Sequence, residues 1–210
     1  MAETLSLVVD DLTFDAVADG PLDGPPVLLL HGFPETSHSW RFVQPQLAAA
    51  GFRTVAPDLR GYSPGASPTD PAEYSIRALV GDVLGLADVL GWPTFDLVGH
   101  DWGGAVAWTF AALFPQMTDG LVILNLPHPR ALNRELRTNA AQRSASEYAR
   151  QFQEPGAQLT LPPEALAFWV TDPTARARYV EALQRSSYDA MLDYYKANYP
   201  RAPYDDPPIP

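Results

Sequence analysis

Residues 95–114 read FDLVGHDWGGAVAWTFAALF, and few folds can accommodate such a run. FDLV (95–98) is a short, continuous apolar stretch, as expected of a strand buried on both faces. WGGAVAWTFAALF (102–114) is apolar and reads as a helix. Only a glycine-rich turn separates the two, so the strand feeds almost directly into the helix. A side chain beside the centre of so tight a turn would strike the neighbouring strand or helix, which accounts for Gly99, Gly103 and Gly104. A strand that turns at once into a helix belongs to a sheet with helices packed on its faces.

The rest of the first 125 residues has the same alternation. LSLVV (5–9) and LTFDAVA (12–18), split by Asp10-Asp11, predict a strand pair. VLLL (27–30), RTVAP (53–57) and LVIL (121–124) predict further buried strands. Residues 39–50 predict a helix ending at Gly51. Ile76, Leu79, Val80, Val83, Leu84, Ala87 and Leu90 have helical spacing, and Gly91 with Pro93 closes that helix. The expected fold is α/β, a mostly parallel sheet with helices on both faces.

After Asn125 the texture changes. LPHP (126–129) is a break, and no β-rich run follows it. The expected organisation is an α/β core over 1–128, a helical unit over 129–205 and a linker at 206–210, within the proline-rich RAPYDDPPIP.

A composition of 46% hydrophobic and 19% charged residues is that of a chain that buries a core. Cysteine is absent, which excludes disulfides and thiolate metal sites, and neither metal nor cofactor is expected. The opening MAETLSLVVDDL has no basic region and no long apolar run, so no signal peptide is expected. No apolar run is long enough to span a bilayer, and the expected location is cytoplasmic. Residues 1–129 carry four Arg, no Lys and fifteen Asp or Glu, whereas the remainder is balanced. An acidic surface repels phosphate backbones and argues against nucleic acid as a partner.

GHDWGG (99–104) has the form of the nucleophile elbow, G-x-S-x-G, with Asp101 in the place of serine. A carboxylate is ionised at neutral pH and needs no base for its first attack. Serine attacking a saturated carbon would leave an ether, which water does not readily cleave. Asp101 would leave an ester, which water can open. The residue therefore suits substrates with a leaving group on saturated carbon, such as epoxides or alkyl halides.

HGFPE (31–35) directly follows the strand VLLL. With an elbow of this type, one oxyanion-hole N–H comes from the residue after the nucleophile and another from this loop. Here those donors would be the backbone N–H groups of Trp102 and Phe33, and Pro34 suits a cis bond that turns Phe33 inward.

HGFPE, DLRGYSPG (58–65), GHDWGG and LPHP together resemble the soluble epoxide hydrolases of the α/β-hydrolase superfamily, from about residue 10 to about residue 205. The resemblance implies a helical lid over the active site, with two tyrosines that donate to the epoxide oxygen. YARQFQEPG (148–156) looks like the first tyrosine motif and LDYYKAN (192–198) like the second, which assigns these roles to Tyr148 and Tyr195. Asp101, Tyr148 and Tyr195 are then the expected catalytic residues. Phe33, Pro34, Trp102, Phe152 and Trp169 are the expected walls of an apolar pocket for a small epoxide and water.

The chain also departs from that family. A hydrolase of this type needs a histidine, oriented by a carboxylate, to activate the water that cleaves the ester. In the family both come after the lid, and this chain stops at Pro210. His31 and His100 neighbour the motifs, His38 opens a surface helix, His128 lies at the lid junction, and Asn125 holds the position some relatives give to the acid. The expectation is a truncated enzyme without its base and acid, open to a complementing C-terminal chain or to a homo-oligomer as partner. A haloalkane dehalogenase relative would use the same aspartate with a halide clamp at Trp102, but Phe33 and two tyrosines suit an alkoxide better. A non-catalytic ligand-binding fragment is the third reading.

Overall fold

The computed structural model describes residues 2–204. Six strands form one sheet in the order β1-β2-β4-β3-β5-β6. The strands are β1 (Glu3–Val9), β2 (Leu12–Asp19), β3 (Pro26–Leu30), β4 (Arg53–Pro57), β5 (Phe95–His100) and β6 (Thr118–Leu124). β1 and β2 form an antiparallel hairpin, β2 joins β4 antiparallel, and β4, β3, β5 and β6 run parallel. The mostly parallel sheet expected from the sequence is present, and among the described residues β6 pairs only with β5.

Helices cover both faces, and β3 shows how the sequence specifies this. Leu28 and Leu30 enter a large core with Leu79, Val83 and Leu86 of α2 (Ile76–Leu90) and Phe110 of α3 (Trp102–Leu113). Val27 and Leu29 point the other way, into a small core with Trp40 and Leu47 beside α1 (Gln44–Ala49). Alternate residues of one strand thus feed two cores, so VLLL has no polar position. α2 ends as expected, with Gly91 in the left-handed region at φ 70°.

The helix expected over 39–50 is instead two pieces, a 3-10 turn at Ser37–Trp40 and α1 from Gln44. Pro45 is the reason. It lacks an N–H and fits only the first turn of a helix, so the helix restarts there.

After β6 the described residues are helical: α4 (Pro129–Thr138), α5 (Ala140–Ala145), α6 (Glu147–Gln151), α7 (Pro163–Leu166), α8 (Pro173–Arg185) and α9 (Tyr188–Asn198). The linker expected at 206–210 lies outside the described residues. α9 is fastened to the segment between β4 and α2. Tyr194 Oη donates to the Arg60 carbonyl at 2.8 Å, Asn198 Nδ2 donates to the Tyr74 carbonyl at 2.8 Å, and the Ser187 N–H donates to the Gly61 carbonyl at 2.9 Å. Among the described residues no helix is long and apolar enough to cross a membrane.

The elbow glycines give a paired prediction. A Cβ on Gly103 would collide with the backbone carbonyl oxygens of Leu30 and His31, which cannot swing aside. Gly103→Ala should gain at most about 1 kcal/mol of helix propensity and lose on the order of 3 kcal/mol or more to overpacking. Gly81, on the exposed side of α2, has open space where its Cβ would be. Gly81→Ala should therefore stabilise by about 0.5–1 kcal/mol. Urea midpoints of the two variants should move in opposite directions.

Candidate active site

The strand order brings the two motifs together. From β3 the chain passes to β4 on one side and then, through α2, to β5 on the other. Such a reversal opens a crevice at the carboxyl ends of the strands, between the loops that leave β3 and β5. HGFPE leaves β3, and Asp101 follows β5.

Asp101 stands at the N-cap of α3 with φ 51° and ψ −120°, a conformation that a side chain with a Cβ rarely takes. Such strain costs roughly 1–3 kcal/mol and persists where surrounding structure enforces it. Here the Asp101 N–H donates to the Leu124 carbonyl at 3.2 Å, and the Asp101 carbonyl accepts from the Ala105 N–H at 3.1 Å. Gly32 must be glycine because a Cβ there would overlap the Asp101 side chain.

The carboxylate is half-buried and held by two backbone donors. The Phe33 N–H reaches Oδ1 at 2.9 Å, and the Trp102 N–H donates to the same carboxylate. Burial raises the Asp101 pKa above its ordinary value, and these two N–H groups oppose that rise by stabilising the anion. The two donors read from the sequence as an oxyanion hole thus converge on Asp101. The Phe33–Pro34 bond is cis.

His31 ties the loop in place. The Leu59 N–H can only donate, so His31 Nε2, at 2.9 Å, accepts, and its Nδ1–H donates to the Gly32 carbonyl at 3.0 Å. Burial lowers its pKa and keeps the ring neutral. DLRGYSPG and HGFPE are therefore joined through one imidazole.

One pairing escaped the sequence reading: His100 Nδ1 lies 3.0 Å from Oε2 of Glu35. Each residue sits inside a quoted motif, but only the adjacency of β3 and β5 brings them together. The bond to Glu35 raises the His100 pKa, and the Asp101 charge adds to the rise. A raised folded pKa stabilises below the unfolded value of about 6.5, and that stabilisation is lost as pH climbs through the folded value. Glu35→Gln should therefore cost more stability near pH 6 than near pH 9, read from urea midpoints at the two pH values.

Asp101, Trp102, Tyr148 and Tyr195 line one cavity of about 500 Å³, together with residues that include Tyr199 and Tyr204. The two tyrosines differ in setting. Tyr195 is 3% exposed and enclosed by rings, with Trp102 and Phe152 each 5.0 Å away and Phe33 at 5.6 Å. Burial pushes its pKa well up, and the charge of Asp101 adds to that. Tyr148 on α6 is 50% exposed, and its ring centre is 6.4 Å from that of Tyr195. Its pKa is also raised, by burial first and then by Asp101. Tyr194, the neighbour in sequence, faces the Arg60 carbonyl instead.

The expected pocket walls are corrected in part. Trp102 lines the cavity, whereas Phe33 and Phe152 stand one layer back, packed on the Tyr195 ring. Pro34 is likewise not among the lining residues. Trp169 is elsewhere, its Nε1 donating to the Leu166 carbonyl and its ring against Tyr179. Apolar character alone could not separate cavity wall from supporting layer. Among the described residues no histidine lines the cavity: His38 packs on Tyr179, and His128 caps α4 and packs on Trp108.

Comparison with known proteins identifies the fold family. The family described as alpha/beta hydrolase fold matches residues 25–177. "Epoxide hydrolase B" of Mycobacterium tuberculosis is 51% identical over 114 residues, which is 53% of this chain and 32% of that protein. "AB hydrolase superfamily protein YfhM" of Bacillus subtilis is 34% identical over 203 residues, 89% of this chain and 70% of that one. A solved structure from work on epoxide hydrolases in metagenomes from hot environments superposes with a TM-score of 0.88 at 33% identity. That match covers 99% of this chain and 78% of the other. Against the Mycobacterium tuberculosis protein, the chain spans about a third of the relative's length.

Proposed function

The chain belongs to the alpha/beta hydrolase fold family, and from that premise we propose that its cavity opens epoxides by carboxylate attack. Asp101 Oδ1 is held by the Phe33 N–H, which leaves Oδ2 to attack an epoxide carbon. The C–O bond breaks, and the epoxide oxygen takes a proton from Tyr148 or Tyr195 as it becomes a hydroxyl. A phenol is a suitable donor because it stays protonated at neutral pH, and the raised pKa of both residues preserves that state. Asp101 is left as a hydroxyalkyl ester. Its carbonyl oxygen then has the Phe33 and Trp102 N–H groups as an oxyanion hole for attack by water. The helices after β6 serve as a lid that carries both tyrosines.

The observation that carries this reading is a strained, half-buried Asp101, bonded to the Phe33 N–H at 2.9 Å in the same cavity as both tyrosines. Two hydroxyl donors beside a carboxylate suit a developing alkoxide, which favours an epoxide over an alkyl halide. The substrate is a small apolar epoxide, with water as the second reactant. Peptide mapping after incubation with an aryl epoxide tests the assignment. The new ester should sit on Asp101, and an unmodified Asp101 in a folded sample overturns the reading.

A further inference from the structure

The cavity has a second property that ring opening does not use. Its lining includes one carboxylate, that of Asp101, and the aromatic residues Trp102, Tyr148, Tyr195, Tyr199 and Tyr204. An aromatic face is electron-rich and attracts a cation, and a carboxylate among such faces adds full charge to that attraction. One ring of the group already meets a cation, since the Arg150 guanidinium lies 5.2 Å from the centre of Tyr204.

The neighbouring charges set the sign of the field. Behind Asp101, Glu35 and His100 face one another at 3.0 Å and nearly cancel when His100 is protonated. Arg201 lines the cavity but is exposed, and Arg150 beside Tyr204 has Glu147 at 3.9 Å, so water, salt and a carboxylate screen the two cations, whereas half-buried Asp101 acts at a lower effective dielectric. The chain as a whole carries −11 at neutral pH, which draws cations and repels anions.

From this box of rings on a carboxylate floor we infer that the cavity is a binding site for organic cations of the quaternary ammonium class. A trimethylammonium head is apolar at its surface, gives no proton to Asp101 and is small beside a cavity of about 500 Å³. It sits against the rings with its charge toward Asp101. The inference rests on the same Asp101 as the proposed function, but it requires no epoxide to react.

Titration calorimetry with choline and with 3,3-dimethylbutan-1-ol, its uncharged carbon analogue, tests this at about 0.15 M salt, where surface attraction is damped. Choline should bind at least about tenfold more tightly than the alcohol. Asp101→Asn should bring the two affinities within about twofold of each other. Tyr148→Phe, which keeps the ring, should retain choline binding, and Tyr148→Leu should weaken it. Equal affinities in the unaltered chain, no binding of choline, or a preference that survives Asp101→Asn would each overturn the inference. Should the protein bind choline in this way but form no adduct with an epoxide, only the ring-opening proposal fails. Should adducts form without choline preference, only the cation site fails.

Discussion

Mixed with excess styrene oxide, the 210-residue chain is expected to gain one adduct mass and then stop. Alkylation needs only what the cavity contains: an ionised Asp101 and a phenol to receive the opened oxygen. Release of the diol needs a water molecule made nucleophilic by a base, and among the described residues no histidine lines the cavity. His100 has the wrong partners for that work, since its Nδ1 faces Glu35 and its raised pKa holds it toward the protonated form. General-base assistance is worth roughly 10²–10⁴ in rate, so diol release should run at least about a hundredfold slower than it would with a base, and the adduct should accumulate. Intact mass spectra against time separate the two steps, and Asp101→Ala should remove the adduct altogether. Steady production of many equivalents of diol by this chain alone would sink the proposed absence of a base.

The largest loss of stability from a single side chain outside the elbow is expected at Asp82. Its carboxylate holds the Arg60 guanidinium by two bonds, one of them 2.8 Å from Nε, and both side chains are less than a tenth exposed. Replacing one partner of such a pair strands a buried charge and costs roughly 3–5 kcal/mol. Asp82→Asn should fall at the lower end. Glu73 Oε2 lies 3.6 Å from Arg60, and the Glu73 carbonyl accepts from Nη1 at 3.2 Å, so the guanidinium keeps some company. Arg60→Met combined with Asp82→Leu should cost less than Asp82→Asn alone, because no charge is then left buried. Urea unfolding of the three variants decides the order, and a double variant less stable than the Asp82 single would contradict it.

Much of the frame was legible in the sequence because its signals are local. The run FDLV-GHDWGG-AVAW declares strand, turn and helix within twenty residues, and VLLL declares a strand covered on both sides. The sequence reading failed where a local pattern had two solutions or a contact was remote. Apolar spacing over 39–50 allowed one helix, but the steric demand of Pro45 divides it. Glu35 and His100 are far apart along the chain and meet only because β3 lies beside β5 in the sheet. Trp169 has the same apolar character as Trp102, and only the packing of α7 and α8 reveals that it serves Tyr179 rather than the cavity.

The fastening of α9 bears on how the two tyrosines are mounted. Tyr195 rides on a helix pinned to the core at Gly61, Arg60 and Tyr74, and so keeps station with Asp101. Tyr148 rides on α6, and just beyond that helix Gln153 donates to the carbonyls of Tyr195 on α9 and of Tyr199 just past its end. The two phenols are therefore mounted in series, like a fixed jaw and a second jaw bolted to it. A displacement of α9 carries both hydroxyls away from the carboxylate, whereas a displacement of α6 widens the gap at Tyr148 alone and leaves Tyr195 in register.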